Sequence, residues 1–385
     1  MHENFPILTL QNAMWLQDLQ LFQFKNYEEL SADFVAGINC FVGPNGSGKT
    51  NLLEAIHYLC LAKSAFNYQD SQAIGHEYSY ATVQGSFQKA SDGQQVYCAI
   101  QQGQSRKVLK LNGVPYERLM EHVGAFPLVM IAPHDTDLIR EGSEWRRKFF
   151  DNLICQLYPQ YLQSLLLYNQ ALKKRNIQLR LFEERRYFDA DLLEAFDRVL
   201  LAEGAVIYGF RCQVLDDFMP LFEAQYRFLS EQKEQVQLRY QSQWHSPKNP
   251  ETLLREALPK DRLLQRSTVG LHKDDFDFEI DGFPLKKFAS QGQQKSFVVA
   301  LKLATFECLQ KQKDLKPLLL LDDIFDKLDQ DRIKKLMQLV SRQTFGQIFL
   351  TDAHSARSRH LMEELALPAK IFEVQAGKIH RQYGI

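Results

Sequence analysis

The residues best placed to do chemistry form the run GPNGSGKT at positions 43–50, which fits G-x-x-x-x-G-K-[ST] in full. Gly43, Gly46 and Gly48 let the backbone curl so that successive N–H groups converge on phosphate oxygens, with Pro44, Asn45 and Ser47 completing the loop. Lys49 adds a positive charge, and the Thr50 hydroxyl is a ligand suited to Mg2+. A second run, LLLLDD at positions 318–323, sets four apolar residues before two carboxylates. A buried strand ending in Asp322 holds Mg2+ and its water, and Asp323 follows where it polarises or positions an attacking water. The expected chemistry is nucleotide binding and phosphoryl transfer with Mg2+, and the P-loop alone does not separate kinases, GTPases, helicases and ABC-type ATPases. Lys49 and Asp323 are the catalytic candidates, residues 43–50 the nucleotide ligands, and Thr50 with Asp322 the metal side.

Such residues work only if the chain positions them. INCFVGP reads as an apolar strand ending in a glycine turn, and KTNLLEAIHYLCLA as a strong amphipathic helix whose dipole points at the same phosphates. LQDLQLFQF alternates as a strand, and YEELSADF gives another. Residues 78–131 are β-rich, in YATVQGSF, QQVYCAIQQ, RKVLKLNG and PLVMIAP. The character changes at Pro133, and from about Asp137 to Glu256 the pattern is helical. Strand-like pieces return in DDFDFEID, LLLLDD, QIFLTD and KIFEVQAGKIH. The fold class is therefore α/β, with one domain split by another. Residues 1–135 and 263–385 form a head with a β-rich antiparallel part and a parallel-sheet core. Residues 136–262 form an α-helical insert, and residues 1–13 read as an extension.

The polar stretch KKFASQGQQKS, positions 286–296, stands just ahead of the acidic strand. Its ASQGQQKS part resembles the ABC-type signature, with Ser290, Gly292 and Gln293 at the matching places. The physical logic is a second helix N-terminus, where Ser290 and the Gly292 backbone offer donors to an anion. In the ABC class the signature covers the γ-phosphate held by a second copy of the chain, so two ATPs join two heads. That implies an ABC-type P-loop ATPase head and an ATP-dependent homodimer. Kinases and small GTPases have no use for such a signature, and transporter ATPases carry it soon after the P-loop. Here the whole insert lies between Lys49 and Ser290, and that insert is too short for an SMC-type coiled-coil arm.

The order of segments resembles the RecF family of bacterial recombination and repair ATPases, from about Met14 to the C-terminus. The resemblance is carried by LQLFQFKNYEEL with INCFVGPNGSGKTNLLEAIHYL, by IAPHDTDLIREGSEWRRKFFD, by LLLYNQALKKRNIQLR, by TVGLHKDDFDFEIDG and by LLLLDDIFDKLD. Lys25, Asn67, Gln291 and the DKLD run depart from the family's usual residues, and none of them is a phosphate or metal ligand. The resemblance implies DNA binding at single-strand gaps or single–double strand junctions, slow hydrolysis that resets an ATP-bound dimer, and work with RecO- and RecR-like mediators in loading a recombinase. Asp323 stands where faster ABC ATPases commonly carry Glu, which fits slow turnover. Two other readings are an ATP-binding dimerisation scaffold with negligible hydrolysis and a RecF-like ATPase in another DNA-maintenance or defence role.

The bulk numbers bound the rest. A length of 385 residues, 45% of them hydrophobic, suits two or three domains with real cores. The net charge is −1, so a polyanion partner must use a local patch. The densest basic runs are WRRK at 145–148 and KKRNIQLRLFEERR at 173–186. Lys173, Lys174, Arg180 and Arg185 are the DNA-contact candidates, and Arg146 and Arg147 are expected to brace the junction between lobes. Glu183 and Glu184 are interleaved, so a solvated run paired at i, i+4 is the plain alternative. His272, in GLHKDD, is a candidate contact to nucleotide or a hydrogen-bonded structural residue; His354 falls near a γ-phosphate-sensing position. Six scattered cysteines without a CxxC pair point to a reduced, cytoplasmic chain without structural zinc. No apolar run approaches the length of a membrane span, and the start is a poor signal peptide.

Overall fold

The computed structural model describes residues 14–66, 69–90, 92–103, 107–231, 234–324, 333–335, 338–339, 345–364, 366 and 368–385. The extension 1–13, Asn67 and the DKLD run at 326–329 lie outside the described residues. The chain divides into two units, Met1–Asp135 with Leu301–Ile385, and Thr136–Ala300.

In the first unit, β1 (Met14–Phe24), β2 (Tyr27–Asp33), β4 (Tyr80–Lys89), β5 (Asp92–Gln101), β6 (Val108–Leu111) and β7 (Val114–Pro115) form an antiparallel sheet ordered β2-β1-β4-β5-β6-β7. Buried and less buried positions alternate along β4, as expected of a sheet with one face on a core. The second sheet is ordered β15-β14-β3-β13-β12-β8, from β3 (Ile38–Val42), β8 (Leu128–Ile131), β12 (Leu318–Leu321), β13 (Ile348–Asp352), β14 (Ala369–Gln375) and β15 (Lys378–Gly384). Strands β14, β3, β13, β12 and β8 run parallel, and β15 is antiparallel to β14. Every residue of β3, β8, β12 and β13 is buried, which explains their unbroken apolar runs.

Helix α1 (Lys49–Leu61) buries most of its residues, the polar Lys49, Glu54 and His57 among them. Phe34, Phe41, Phe349 and Phe372 meet largely edge to face in the same core. Gln347 ties the sheets together: its Oε1 accepts from Leu16 N at 2.7 Å, and its Nε2 donates to the carbonyls of Leu16 and Val35, each at 2.8 Å.

The second unit is mainly helical: α2 (Asp137–Arg140), α3 (Ser143–Leu157), α4 (Pro159–Glu184), α5 (Ala190–Ser230) and α6 (Pro250–Leu264). Helix α4 opens on Pro159, whose missing N–H costs nothing there, and α5 opens on Asp189, which accepts from Leu192 N at 3.0 Å. Buried residues of α4 fall at helical spacing, from Tyr161 through Tyr168 and Arg175 to Phe182. The expectation of an unbroken helical run to Glu256 is corrected by β9 (Val236–Gln241), whose β-branched and aromatic residues suit a strand. It pairs antiparallel with β10 (Asp275–Ile280), and β10 pairs with β11 (Phe283–Pro284). Residues 263–300 thus group with the helices, where the sequence reading set the boundary at 262/263. Short α7 (Leu285–Phe288) leads to α8 (Gln291–Lys313), and α9 (Ser355–Glu364) follows β13.

Candidate nucleotide site and signature

The P-loop joins β3 to α1 within the first unit, as the strand–loop–helix reading expects. A Cβ on Gly43 would lie 2.1 Å from the Val374 carbonyl oxygen, so only glycine fits. Gly48 has φ +113°, and a Cβ there would meet the Asn26 amide at 2.6 Å and the Tyr27 hydroxyl at 2.8 Å. Those neighbours hold the loop: Asn26 Nδ2 donates to the Ser47 carbonyl at 3.2 Å, Tyr27 OH to the Gly48 carbonyl at 3.1 Å, and Gly377 N to the Ser47 carbonyl at 3.0 Å. Lys49 Nζ folds onto the carbonyls of Gly43 and Pro44, at 2.7 and 2.9 Å. The Ser47 hydroxyl is buried and meets no hydrogen-bond partner among the described residues.

Strand β13 lies between β3 and β12, and its Thr351 completes the acidic corner. Thr50 Oγ1 donates to Asp322 Oδ1 at 2.9 Å, and Thr351 Oγ1 donates to the same oxygen at 2.8 Å. Burial pushes the Asp322 carboxyl above its ordinary pKa; the two hydroxyls pull the other way. Asp323 has φ +46°, a left-handed turn that takes the chain off the strand, and its N–H donates to Thr351 Oγ1 at 2.8 Å. Asp352, at the end of β13, is fully buried and accepts from His354 N, Arg357 and Ser358 Oγ. His354 itself is exposed.

These residues suit a triphosphate and Mg2+. Gly43 and Gly48 have no room for a side chain, the Ser47 hydroxyl meets no partner among the described residues, and a hydroxyl–carboxylate pair of hard oxygens is in place. Among the described residues no group of three or more His, Cys, Asp or Glu could hold a metal ion.

Ser290, Gly292 and Gln293 lie in the second unit, at the start of α8. Ser290 and Gln293 form a reciprocal capping box: Ser290 N donates to Gln293 Oε1 at 2.7 Å, and Gln293 N donates to Ser290 Oγ at 3.2 Å. Gln293 Nε2 also donates to Glu234 Oε1 at 3.0 Å. Ser290 is exposed.

The remaining candidates divide by environment. Lys173, Lys174, Arg180 and Arg185 are exposed on or just after α4, with no ion pair among the described residues, so the alternative of pairing with Glu183 and Glu184 is not formed there. Arg175, between them, is fully buried and pairs with Asp197 at 2.6 Å and Asp261 at 2.7 Å. Arg146 grips Asp275 with two hydrogen bonds, of 2.7 and 2.9 Å, and Arg147 donates to the Asp274 carbonyl at 2.6 Å. These partners lie inside the second unit, which corrects their expected role between lobes. Both ring nitrogens of His272 are engaged, Nδ1 3.2 Å from the Tyr168 hydroxyl and Nε2 3.2 Å from the Ser267 carbonyl. Burial holds its pKa down at about 4.

The sequence reading missed Thr351, Tyr27 and Glu234. Thr351 had a signal, a hydroxyl one residue before the carboxylate that ends an apolar strand. Tyr27 and Glu234 had none, because their partners are distant in sequence. All six cysteines are free, and five are buried. No helix among the described residues is long and apolar enough to cross a membrane.

A parallel sheet that carries a glycine loop on one strand and a carboxylate pair on another, with an antiparallel sheet beside it in the same unit, defines an ABC-type ATPase head. A family model described as RecF/RecN/SMC N terminal domain matches residues 15–380. The chain is 44% identical to the DNA replication and repair protein RecF of Flavobacterium johnsoniae, over 94% of this chain and 100% of that protein. It is 40% identical to the protein of the same name from Cytophaga hutchinsonii, over 96% of this chain and 97% of that one. A solved structure of the recombination mediator protein RecF with ATPrS, in the RecFOR pathway, superposes with a TM-score of 0.86 at 27% identity, covering 96% of this chain and 98% of the other. The Smc head domain of Pyrococcus furiosus, at 17% identity and a TM-score of 0.55 over 97% and 96% of the two chains, shares the fold. The chain belongs to the RecF family.

Proposed function

We propose that this chain is an ATP-dependent DNA-binding protein of recombinational gap repair and replication, acting in the RecFOR pathway named for its structural relative. ATP binding joins two copies, the dimer holds DNA at single-strand gaps or junctions, and slow hydrolysis releases it. The partners are DNA, a second copy, and RecR- and RecO-like mediators, and the setting is the cytoplasm. The observation that carries the ATPase part is the Thr50–Asp322 hydrogen bond of 2.9 Å, which joins the phosphate loop to the acidic strand.

In this reading the loop N–H groups of residues 43–50 grip the β- and γ-phosphates, and Lys49 turns from its two carbonyls to the γ-phosphate. Thr50 and Asp322 would hold Mg2+, which would supply neutralisation of charge developing on the phosphate oxygens. Asp323 positions the attacking water in line with the bond to ADP. The left-handed turn at Asp323 aims it away from the strand, and Thr351 fixes that turn. Ser290, Gly292 and Gln293 cap the γ-phosphate of the second copy, and the exposed Lys173, Lys174, Arg180 and Arg185 supply contacts to DNA phosphates.

Sedimentation of wild type and Ser290→Arg with ATP, with ADP and without nucleotide tests the core of this. Wild type dimerises only with ATP, and the variant stays monomeric while still binding ATP. If both dimerise alike, or neither does, the signature does not act in trans and the clamp falls with it.

A further inference from the structure

Just ahead of the signature the surface carries an unusual patch. Phe283 and Phe288 are 55% and 62% exposed, and their ring centroids lie 5.1 Å apart with the planes tilted by 41°. Lys286 and Lys287 stand between them in sequence, both exposed and neither ion-paired among the described residues. Two large exposed aromatics in contact leave apolar area in water that nothing in their own unit covers, which marks an interaction surface. The patch ends two residues before Ser290, on the short helix that leads into the signature cap.

A matching surface borders the P-loop. Asn26 and Tyr27 touch Gly48 and Ser47 directly, and the next two residues, Glu28 and Glu29, are exposed. Neither glutamate has an ion-pair partner among the described residues. The chain thus places two carboxylates without an ion pair among the described residues on β2, directly after Tyr27, and two such ammonium groups on α7, four and three residues before Ser290.

We infer that the Phe283–Phe288 patch is the docking surface for a second copy of this chain, with Lys286 and Lys287 facing Glu28 and Glu29 at the rim of the other copy's P-loop. The inference rests on the signature acting in trans, because that brings the start of α8 of one copy against the phosphate loop of the other. The arrangement is self-complementary, as a two-fold dimer requires: each copy gives its lysines to one interface and its glutamates to the other. The aromatics supply the dehydrated part of each contact, and the charges set register and suppress wrong pairings.

Charge reversal in trans tests it. Full-length Lys286→Glu/Lys287→Glu and Glu28→Lys/Glu29→Lys variants are sedimented with ATP, separately and mixed in equal amounts, with ATP binding measured for each. Each variant alone sets like charges at both interfaces and weakens dimerisation on the order of tenfold or more. The mixture restores it, because in the heterodimer one interface is wild type and the other is fully swapped. Phe283→Ala/Phe288→Ala weakens dimerisation without loss of fold, read by circular dichroism. The inference is overturned if each charge variant dimerises like wild type, or if the mixture fails to recover while both proteins bind ATP. It is equally overturned if the lysine variant keeps its dimer and loses affinity for a single-stranded oligonucleotide, which makes the patch a nucleic-acid surface. Ser290→Arg separates the layers: if it alone blocks the dimer, the signature reading stands and this one fails; if it also dimerises normally, the trans arrangement itself is wrong.

Discussion

Replacing Thr351 by Val removes one hydroxyl and keeps the shape of the side chain. That hydroxyl donates to Asp322 Oδ1 at 2.8 Å and accepts from Asp323 N at 2.8 Å, and Thr351 is fully buried, so water cannot take its place. The Asp323 N–H loses its partner at a residue already held in a left-handed conformation, and Asp322 keeps only the Thr50 hydrogen bond. An unmade buried hydrogen bond costs about 1–3 kcal/mol and a lost bond to a charged group about 1.5–3, so a net loss of roughly 2–4 kcal/mol follows after partial relaxation. A loss of that size lowers Tm by roughly 5–15 °C in a unit of this size. ATP turnover falls about tenfold or more, because the water-positioning role proposed for Asp323 tolerates little displacement. ATP binding changes little, since the glycine loop and Lys49 are untouched. Thr351→Ser keeps the hydroxyl and serves as the control. Thermal unfolding, nucleotide binding and phosphate release, run on wild type and both variants, check each part. A Val variant with wild-type turnover and a Tm within a degree or two of wild type would refute the claim that Thr351 holds the acidic corner.

Three other outcomes follow from the structure. Asp323→Glu, which extends the carboxylate by one methylene, raises ATP turnover; an unchanged or slower rate counts against Asp323 as the brake on hydrolysis. Arg211→Met leaves the buried Asp274, 2.7 Å from the guanidinium, and Asp151, at 2.9 Å, without their cation, and costs about 3–5 kcal/mol in urea unfolding. A loss below about 1 kcal/mol refutes the importance of that pair. The pH profile of stability is set in part by His57, which burial holds at about 4 against an ordinary 6.5. The unfolded ring binds a proton below about pH 6.5 and the buried ring does not, so stability is complete above that value and is lost as pH falls toward 4. His57 accounts for up to about 3 kcal/mol of the loss. His57→Gln flattens the dependence of Tm on pH in that window, and an equally steep variant excludes His57 as its source.

Much of the head was legible because its signals are local. Residues 43–50 need a strand before and a helix after, and both lie within a few residues of the loop. The run at 318–321 is apolar because a strand covered on both faces excludes water from every position. The rest depended on distant partners. Helical periodicity runs through Arg175 and Arg211 as if they were surface residues, and only carboxylates from far along the chain make them core. Strand β9 was hidden because six residues carry too little pattern to interrupt a helical reading, and its pairing with β10 is what makes it a strand. The unit boundary was hidden for a different reason: α8 continues through residue 300 without a break in its pattern.

The self-made cap of α8 carries a consequence for selectivity among anions. Ser290 and Gln293 satisfy each other's N–H groups, and Glu234 occupies the Gln293 amide as well. Of the donors in the first turn, the cap leaves the N–H groups of Gln291 and Gly292 for an outside acceptor. Small ions abundant in a cell, such as chloride or free phosphate, gain at most those two donors and stay dilute at the site. A terminal phosphate brought in on the surface of another protein arrives with the rest of its binding energy supplied elsewhere, and can displace the internal contacts of Gln293. If the cap receives a phosphate held by a second copy, as proposed above, the helix start acts as a threshold filter, silent to solutes and responsive to a delivered ligand.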